Sequence, residues 1–313
     1  MKIYLIIILS LFLVLNIYLD KYYKEKFKKE NFPPNTIFEI KEDIELPSLS
    51  ERVAGSKNEE KNYIEKKIYR CYSNFTEMNK FKEVFKKTEE LMPGYKQIYF
   101  DDIKIEEYIK ENFSERIYNA YKNINPDYGA ARADLFRYLI IYREGGIYMD
   151  VKTGPKKQID DIFEKNGDKL LVGLGENTIP YYIPKKHLQN FLYLNDDWSF
   201  ITGVKGSEWQ QYIFASPAGN PILGLIIKQV VSNIEEGMKN KQYYNSGKYS
   251  VVAMTGPIPF SMVIEKYKKE YKDKIEFFKG GLGRRFDHSL IDYKKIMANK
   301  HYSKIENKNI LIN

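Results

Sequence analysis

Hydrophobic and polar positions change period several times along the chain, and each change predicts an element. The sequence opens on an uncharged apolar run, Ile3–Leu19, followed at once by DKYYKEKFKKE. A run of that length is at the short end for a helix that crosses a bilayer. Residues 20–60 then mix charged and turn-forming residues, with NFPPN at 31–35 and LPSLSERVAGSKNEE at 46–60, which reads as a stalk with little packing. From about residue 62 short apolar runs alternate with stretches at helical spacing. Strands are predicted over 66–72, 95–101, 147–151, 169–175, 198–204 and 212–219, and helices over 80–92, 103–113, 114–124, 128–144, 220–237 and 255–269. That alternation implies an α/β domain with a mainly parallel sheet, whose ligands lie beyond the carboxyl ends of the strands. The expected organisation is an anchor at 1–20, a stalk at 21–61, a single α/β domain at 62–303 and a tail at 304–313.

The stretch 128–155 carries the most information. At 100° per residue, Ala131, Leu135, Tyr138, Leu139 and Tyr142 fall in one core-facing stripe. Asp134 and Arg137 are three apart and so are neighbours, on a face shared with Ala130, Ala133 and Ile141. Two readings fit this spacing. One is an ordinary surface ion pair worth ~0.3–0.5 kcal/mol. The other is the wall of a ligand site, where a carboxylate accepts, a planar guanidinium donates and small alanines leave room. Gly145-Gly146 ends the helix, because glycine accepts the backbone that a tight C-cap needs. Ile147–Val151 is then apolar except for Asp150, as in a strand covered on both faces. Asp150 is either a turn aspartate bonded to backbone near Thr153-Gly154 or a site carboxylate for a sugar hydroxyl, a metal ion or both. If the strand continued, Asp150 and Lys152 would point to the same face.

Composition and charge add limits. With 43% hydrophobic and 15% aromatic residues the chain is not a disordered one. Its net charge of +8 fits solubility, an anionic membrane surface or phosphate-bearing ligands. The lysines are dispersed, with no zinc-finger spacing and no aromatic RNA-binding signature, so no nucleic-acid partner is expected. The one cysteine, Cys71, excludes an internal disulfide and reads as a small apolar core residue rather than a nucleophile. No small-residue cleavage site comes after Ile3–Leu19, so a single-pass anchor through residues 3–19 is expected. Lys21, Lys24, Lys26, Lys28 and Lys29 favour a cytoplasmic position for the chain beyond the run. The sequons at Asn74 and Asn112 would serve only in a Golgi-like lumen, so the side of the membrane is open.

The stretch ARADLFRYLIIYREGGIYMDVKTGP (131–155) resembles the central motif of glycosyltransferase family 32, whose members carry a DXD sugar-binding region. Weaker matches extend outward: IEKKIYRCY (64–72), PGYKQIYFDDIKIEEYIKENF (93–113), FASPAGNPIL (214–223) and TGP (255–257). The resemblance implies a GT-A-like catalytic domain that moves a hexose, mannose favoured, from a GDP- or UDP-linked donor to a glycan or lipid acceptor, with retention. It implies that Asp134 and Arg137, beside Ala133, hold the hydroxyls of the donor sugar. Asp150 would contact the donor and support a divalent metal, usually Mn²⁺. Gly145 and Gly146 would let the backbone turn close to the ligand, and His301 and Ser303 would close over the diphosphate, with His288 a weaker candidate.

The chain departs from that pattern at one position. Lys152 stands where the family's second aspartate binds the metal directly. Two unit charges about 4 Å apart interact by roughly 4 kcal/mol at an effective dielectric of about 20, and a divalent ion beside an ammonium by about twice that. Lys152 therefore argues against metal at the usual position. It supports a different arrangement, in which the ammonium itself neutralises the departing diphosphate. A metal held by Asp150 and C-terminal groups, a catalytically degenerate sugar-nucleotide binder and a basic surface-binding protein remain as alternatives.

Overall fold

The computed structural model describes residues 40–48, 63–157, 163, 166–175, 208–239, 247–278, 282, 286–287, 305 and 308–312. The predicted anchor at 3–19, the predicted strand at 198–204, and His288, His301 and Ser303 lie outside them. The described residues all belong to the unit Ile37–Asn313.

The strand β1 (Lys67–Cys71) lies between β2 (Lys96–Phe100) and β3 (Gly146–Met149) and is parallel to both. Its alternation places Tyr69 and Cys71 in one buried cluster and Ile68 in another, so each sheet face is covered. A short helix α1 (Phe75–Met78) and α2 (Lys82–Leu91) lead from β1 to β2. The helix α3 (Asp102–Asn112) starts where the Asp101 side chain accepts a 2.9 Å bond from the Lys104 amide, an N-cap that explains the aspartate at the strand end. Then come α4 (Glu115–Asn123) and α5 (Gly129–Glu144), which leads into β3.

The rest of the chain completes the sheet from the other side. It adds β4 (Gly154–Pro155), β5 (Leu170–Gly175), β6 (Glu208–Trp209), β7 (Ile213–Ser216), α6 (Pro221–Lys239), α7 (Gly247–Met254), α8 (Pro257–Tyr267), β8 (Ile275–Phe278) and β9 (Phe286–Asp287). The order is β2-β1-β3-β7-β5-β6, with β8 also on β5 and β4 paired with β9 in a separate ribbon. Only β2–β1, β1–β3 and β5–β8 are parallel, while β3–β7, β7–β5 and β5–β6 run antiparallel. The sheet is therefore mixed, which corrects the expectation of a mainly parallel one. Strands covered on both faces show the same apolar runs in either direction, so their pattern does not record it.

Two further expectations are revised. The helix α5 is buried on nearly every side: Ala131, Arg132 and Asp134–Ile141 are all buried, while Tyr142 of the expected stripe is only half-buried. A surface reading of Asp134 and Arg137 is thereby excluded. Within the stretch read as a stalk, residues 40–48 pack against the body. Ile44 is buried, Lys41 Nζ reaches Glu235 and Glu236 on α6 at 2.7 and 2.9 Å, and Arg116 on α4 binds Asp43 at 2.9 Å.

Candidate active site

Asp134 and Arg137 come from the middle of α5 and Asp150 from the residue after β3. Arg137 joins them: its Nη2 lies 2.9 Å from Asp134 Oδ1 and 3.3 Å from Asp150 Oδ1. Its Nη1 donates to the Gln211 carbonyl at 3.2 Å, and the guanidinium sits 4.7 Å from the centre of the Tyr148 ring. Arg137 Nε is buried and has no hydrogen-bond partner among the described residues.

The two carboxylates differ in what they have left to give. Asp134 Oδ1 also accepts from Gln211 Nε2 at 3.4 Å, and Oδ2 accepts from Thr255 Oγ1 at 3.0 Å. Asp150 Oδ1 accepts from the Tyr148 hydroxyl at 3.1 Å, while Oδ2 accepts no hydrogen bond among the described residues. The Asp134 side chain is 5% exposed and that of Asp150 is 23% exposed. Asp150 is thus the more exposed carboxylate, with one oxygen uncommitted among the described residues, and Asp134 braces Arg137 from the interior.

Burial dominates the protonation of this cluster. It pushes Asp134 up to about 7, against the pull of Arg137 and the Thr255 hydroxyl, with Asp150 adding to the rise. Burial opposes the charge on Arg137, but Tyr148, Asp134 and Asp150 outweigh it and hold the guanidinium protonated. Lys152 is half-buried, and its proton affinity is lowered by burial, raised in part by Asp150 and lowered again by Arg137. Lys152 therefore shares the electrostatic environment of both residues.

The local backbone corrects the expected relation of Asp150 to Lys152. The strand stops at Met149, and the Thr153 amide donates to the Asp150 carbonyl at 2.8 Å, closing a tight turn over Asp150–Thr153. Strand alternation does not extend to Lys152, so nothing in the pleat sets it on the face of Asp150. The turn is closed by the backbone carbonyl of Asp150, while its side chain faces Tyr148 and Arg137 rather than the backbone near Thr153-Gly154.

Gly145 and Gly146 do not join this cluster. Gly145 caps α5 and Gly146 opens β3, while Asp150 comes just past the end of that strand, roughly 13 Å from Gly146 at strand rise. Their φ angles are +68° and +102°. A Cβ at Gly145 would meet the Ala218 amide nitrogen at 2.9 Å, and one at Gly146 would meet the Lys67 carbonyl oxygen at 2.8 Å. The glycines let β3 pack between β1 and the end of β7. Ala133 is half-buried on α5 next to Asp134. Cys71 is buried with its thiol pushed up to about 12 by burial, which fits a core residue.

Among the described residues the donor set does not suit a divalent ion. Asp150 Oδ1 already faces Arg137, Lys152 adds a second cation, and Asp134 is committed to three donors. Among the described residues no group of three His, Cys, Asp or Glu side chains comes together.

Sequence reasoning missed Tyr148, Gln211, Thr255 and Tyr138. Tyr138, taken as core, hydrogen-bonds Gln211 Oε1 and the Thr255 carbonyl, the latter at 3.0 Å. Tyr148 is two residues before Asp150 and shares its side of the strand, a signal the period-2 rule contains. Gln211 and Thr255 arrive from distant loops, and only the TGP block hinted at Thr255.

A family model described as the glycosyltransferase sugar-binding region containing a DXD motif matches residues 35–168. Those residues include α5, β3 and the whole Asp134–Arg137–Asp150 cluster. The match starts inside the charged stretch read as a stalk and stops before the blocks at 214–223 and 255–257. The chain is 25% identical over 174 residues to an initiation-specific α-1,6-mannosyltransferase of Schizosaccharomyces pombe, covering 53% of this chain and 39% of the relative. It is 31% identical over 99 residues to a mannosyl phosphorylinositol ceramide synthase of Saccharomyces cerevisiae, covering 32% of this chain and 25% of the relative. The chain thus spans less than half the length of both. Among solved structures, the PaToxG glycosyltransferase aligns with a TM-score of 0.42 at 18% identity, over 67% of this chain and 73% of that one.

Proposed function

We propose that the chain is a hexosyltransferase with a GT-A-like domain that moves a hexose, mannose favoured, from a GDP- or UDP-linked donor to a glycan or lipid acceptor. The observation that carries this reading is the bridge from Arg137 to both Asp134 and Asp150, inside the matched sugar-binding region. It leaves an accepting carboxylate oxygen on Asp150 beside two cations, which suits a polyol attached to a diphosphate. The mannosyltransferase and ceramide-synthase relatives support mannose as the sugar, and a glycan or an inositol lipid as acceptor. Retention follows the family. The anomeric carbon–phosphate oxygen bond breaks, the bond to the acceptor oxygen forms, and the acceptor proton passes to the leaving phosphate.

In this reading Lys152 neutralises the departing diphosphate, and His301 and Ser303, outside the described residues, close over it. Residues 3–19 anchor the chain in a membrane, with the Golgi-like lumen or the cytoplasmic face as its working side. Among the described residues no helix is long and apolar enough to cross one.

The test is a panel of GDP- and UDP-sugars scored for binding and for nucleoside-diphosphate release, with Mn²⁺ and with a strong chelator. Release from one donor supports the reading. Binding without release leaves a sugar-nucleotide binder, and absence of binding across the panel overturns both. Tight, salt-sensitive binding to polynucleotides would instead favour a basic surface protein.

A further inference from the structure

A buried arginine stands behind the turn that carries Asp150 and Lys152. Arg70 on β1 has no exposed surface, and among the described residues no carboxylate pairs with it. Its planar fork is used nonetheless. Nη1 donates to the carbonyl oxygens of Asp150 and Thr153, both at 2.8 Å. Nη2 donates to Thr88 Oγ1 at 3.0 Å and faces Met149 Sδ at 3.6 Å, and Nε donates to Gln97 Oε1 at 3.2 Å. Both partners are themselves tied: Thr88 Oγ1 donates to the Val84 carbonyl at 2.7 Å, and Gln97 Nε2 to the Phe85 carbonyl at 2.9 Å. Burial lowers the proton affinity of Arg70 to about 10, which leaves it charged at neutral pH.

This arrangement ties the first and last carbonyls of the Asp150–Thr153 turn to one nitrogen. Asp150 is then fixed at every backbone group: its amide donates to the Tyr212 carbonyl at 3.0 Å, and its carbonyl accepts from Arg70 and from Thr153. A lysine could not make the same fork, because an ammonium lacks the planar, divergent donors. In a DXD site a metal bound by two carboxylates would help to fix the turn from the ligand side. Here the second carboxylate is a lysine, and the turn is fixed from inside.

Resting on the transferase reading above, we propose that Arg70 is a positioning residue for glycosyl transfer. By clamping the carbonyls of Asp150 and Thr153 from the protein interior, it holds in one conformation the turn that carries both Asp150 and Lys152.

The test uses the full chain with Arg70→Lys, Arg70→Met and Thr88→Val, read by amide hydrogen exchange and by steady-state kinetics on the donor that the wild type turns over. With Arg70→Lys the amide of Thr153 exchanges about tenfold faster or more, while amides of β1 and β3 keep their protection. Turnover falls about 100-fold with KM changed by less than about threefold, the signature of misplaced groups rather than lost binding. Added to Thr88→Val, Arg70→Lys costs little more than it does alone, because both act on one unit. Thr88→Val, which removes one brace on Arg70, gives the same changes at smaller size. It also carries the decision if the Arg70 variants lose protection throughout. Unchanged exchange at the turn, unchanged turnover, or losses that simply multiply with those of Thr88→Val would each overturn the proposal. If the wild type releases no nucleotide from any donor, the transferase reading fails, and with it the role in transfer. The exchange data then still show whether Arg70 holds the turn.

Discussion

Arg137 Nη2 lies 3.3 Å from Asp150 Oδ1, a contact between the middle of one helix and the residue just past a strand. The same nitrogen is 2.9 Å from Asp134 Oδ1, so one guanidinium ties the interior carboxylate to the one that a ligand can reach. The tie makes Arg137 the residue on which the cluster depends, both for stability and for the placement of Asp150.

Arg137→Met is expected to leave Asp134 buried with a lost counter-ion and to destabilise the fold by about 3–5 kcal/mol, the usual cost of removing one member of a buried pair. Urea denaturation measures this. The double variant Arg137→Met with Asp134→Leu should recover part of the stability, because no uncompensated charge then remains, while donor turnover stays lost.

The protonation of Asp134 sets a pH dependence with a definite sign. Its folded-state proton affinity is raised to about 7, above the ordinary carboxylate range. The stability this group contributes is complete below the unfolded pKa of about 4 and is lost as pH rises through about 7. The stability of wild type relative to Asp134→Asn should therefore fall between about pH 4 and pH 7 and level off above. Activity should rise over the same upper range if the ionised carboxylate is what holds Arg137. Thr255→Val removes a hydrogen bond to the carboxylate and should move the activity midpoint to higher pH. A pH–rate profile that did not move would dissociate Asp134 from the kinetics.

Turnover should survive a strong chelator and should be abolished by Lys152→Ala. The hypothesis behind this is that the ammonium takes over the charge-neutralising role of the metal, motivated by the cations already beside Asp150. Loss of release in chelator, restored by Mn²⁺, would refute it.

Gly146→Ala should destabilise by about 1–3 kcal/mol from the left-handed backbone alone, with the contact at Lys67 adding to the cost. That contact is only 2.8 Å, to a backbone oxygen of β1 that has little freedom to move. Thermal unfolding checks it. At temperatures where the variant stays folded, KM for the donor should be close to that of wild type, since the glycine lies at the far end of the strand from Asp150.

The parts of this fold that repeat locally were legible from the chain. The periodic runs predicted β1, β2, β3, β5 and β7 and helices α2 to α6 and α8 within a few residues, because burying one stripe or both faces of an element writes a period into its own sequence. The pairing of Asp134 with Arg137 was legible for the same reason, as residues three apart on a helix are always neighbours. Strand direction was not legible, since a doubly covered strand reads alike in both senses. The Asp150–Lys152 relation was misjudged because a turn closes at Asp150, and that turn depends on Arg70, far earlier in the chain.

The sequence by itself thus determined the α/β class, the helix that carries Asp134 and Arg137, the strand that leads to Asp150, and the lysine where an aspartate is usual. Each depends on interactions within one element or on residue identity alone. Only the tertiary structure decided that α5 is buried all round and that Asp134 is braced by Gln211 and Thr255. It also decided that a wholly buried Arg70 grips the turn from behind. Hydrogen bonds between residues far apart in the chain leave no period in the sequence, so they appear only when the chain is folded.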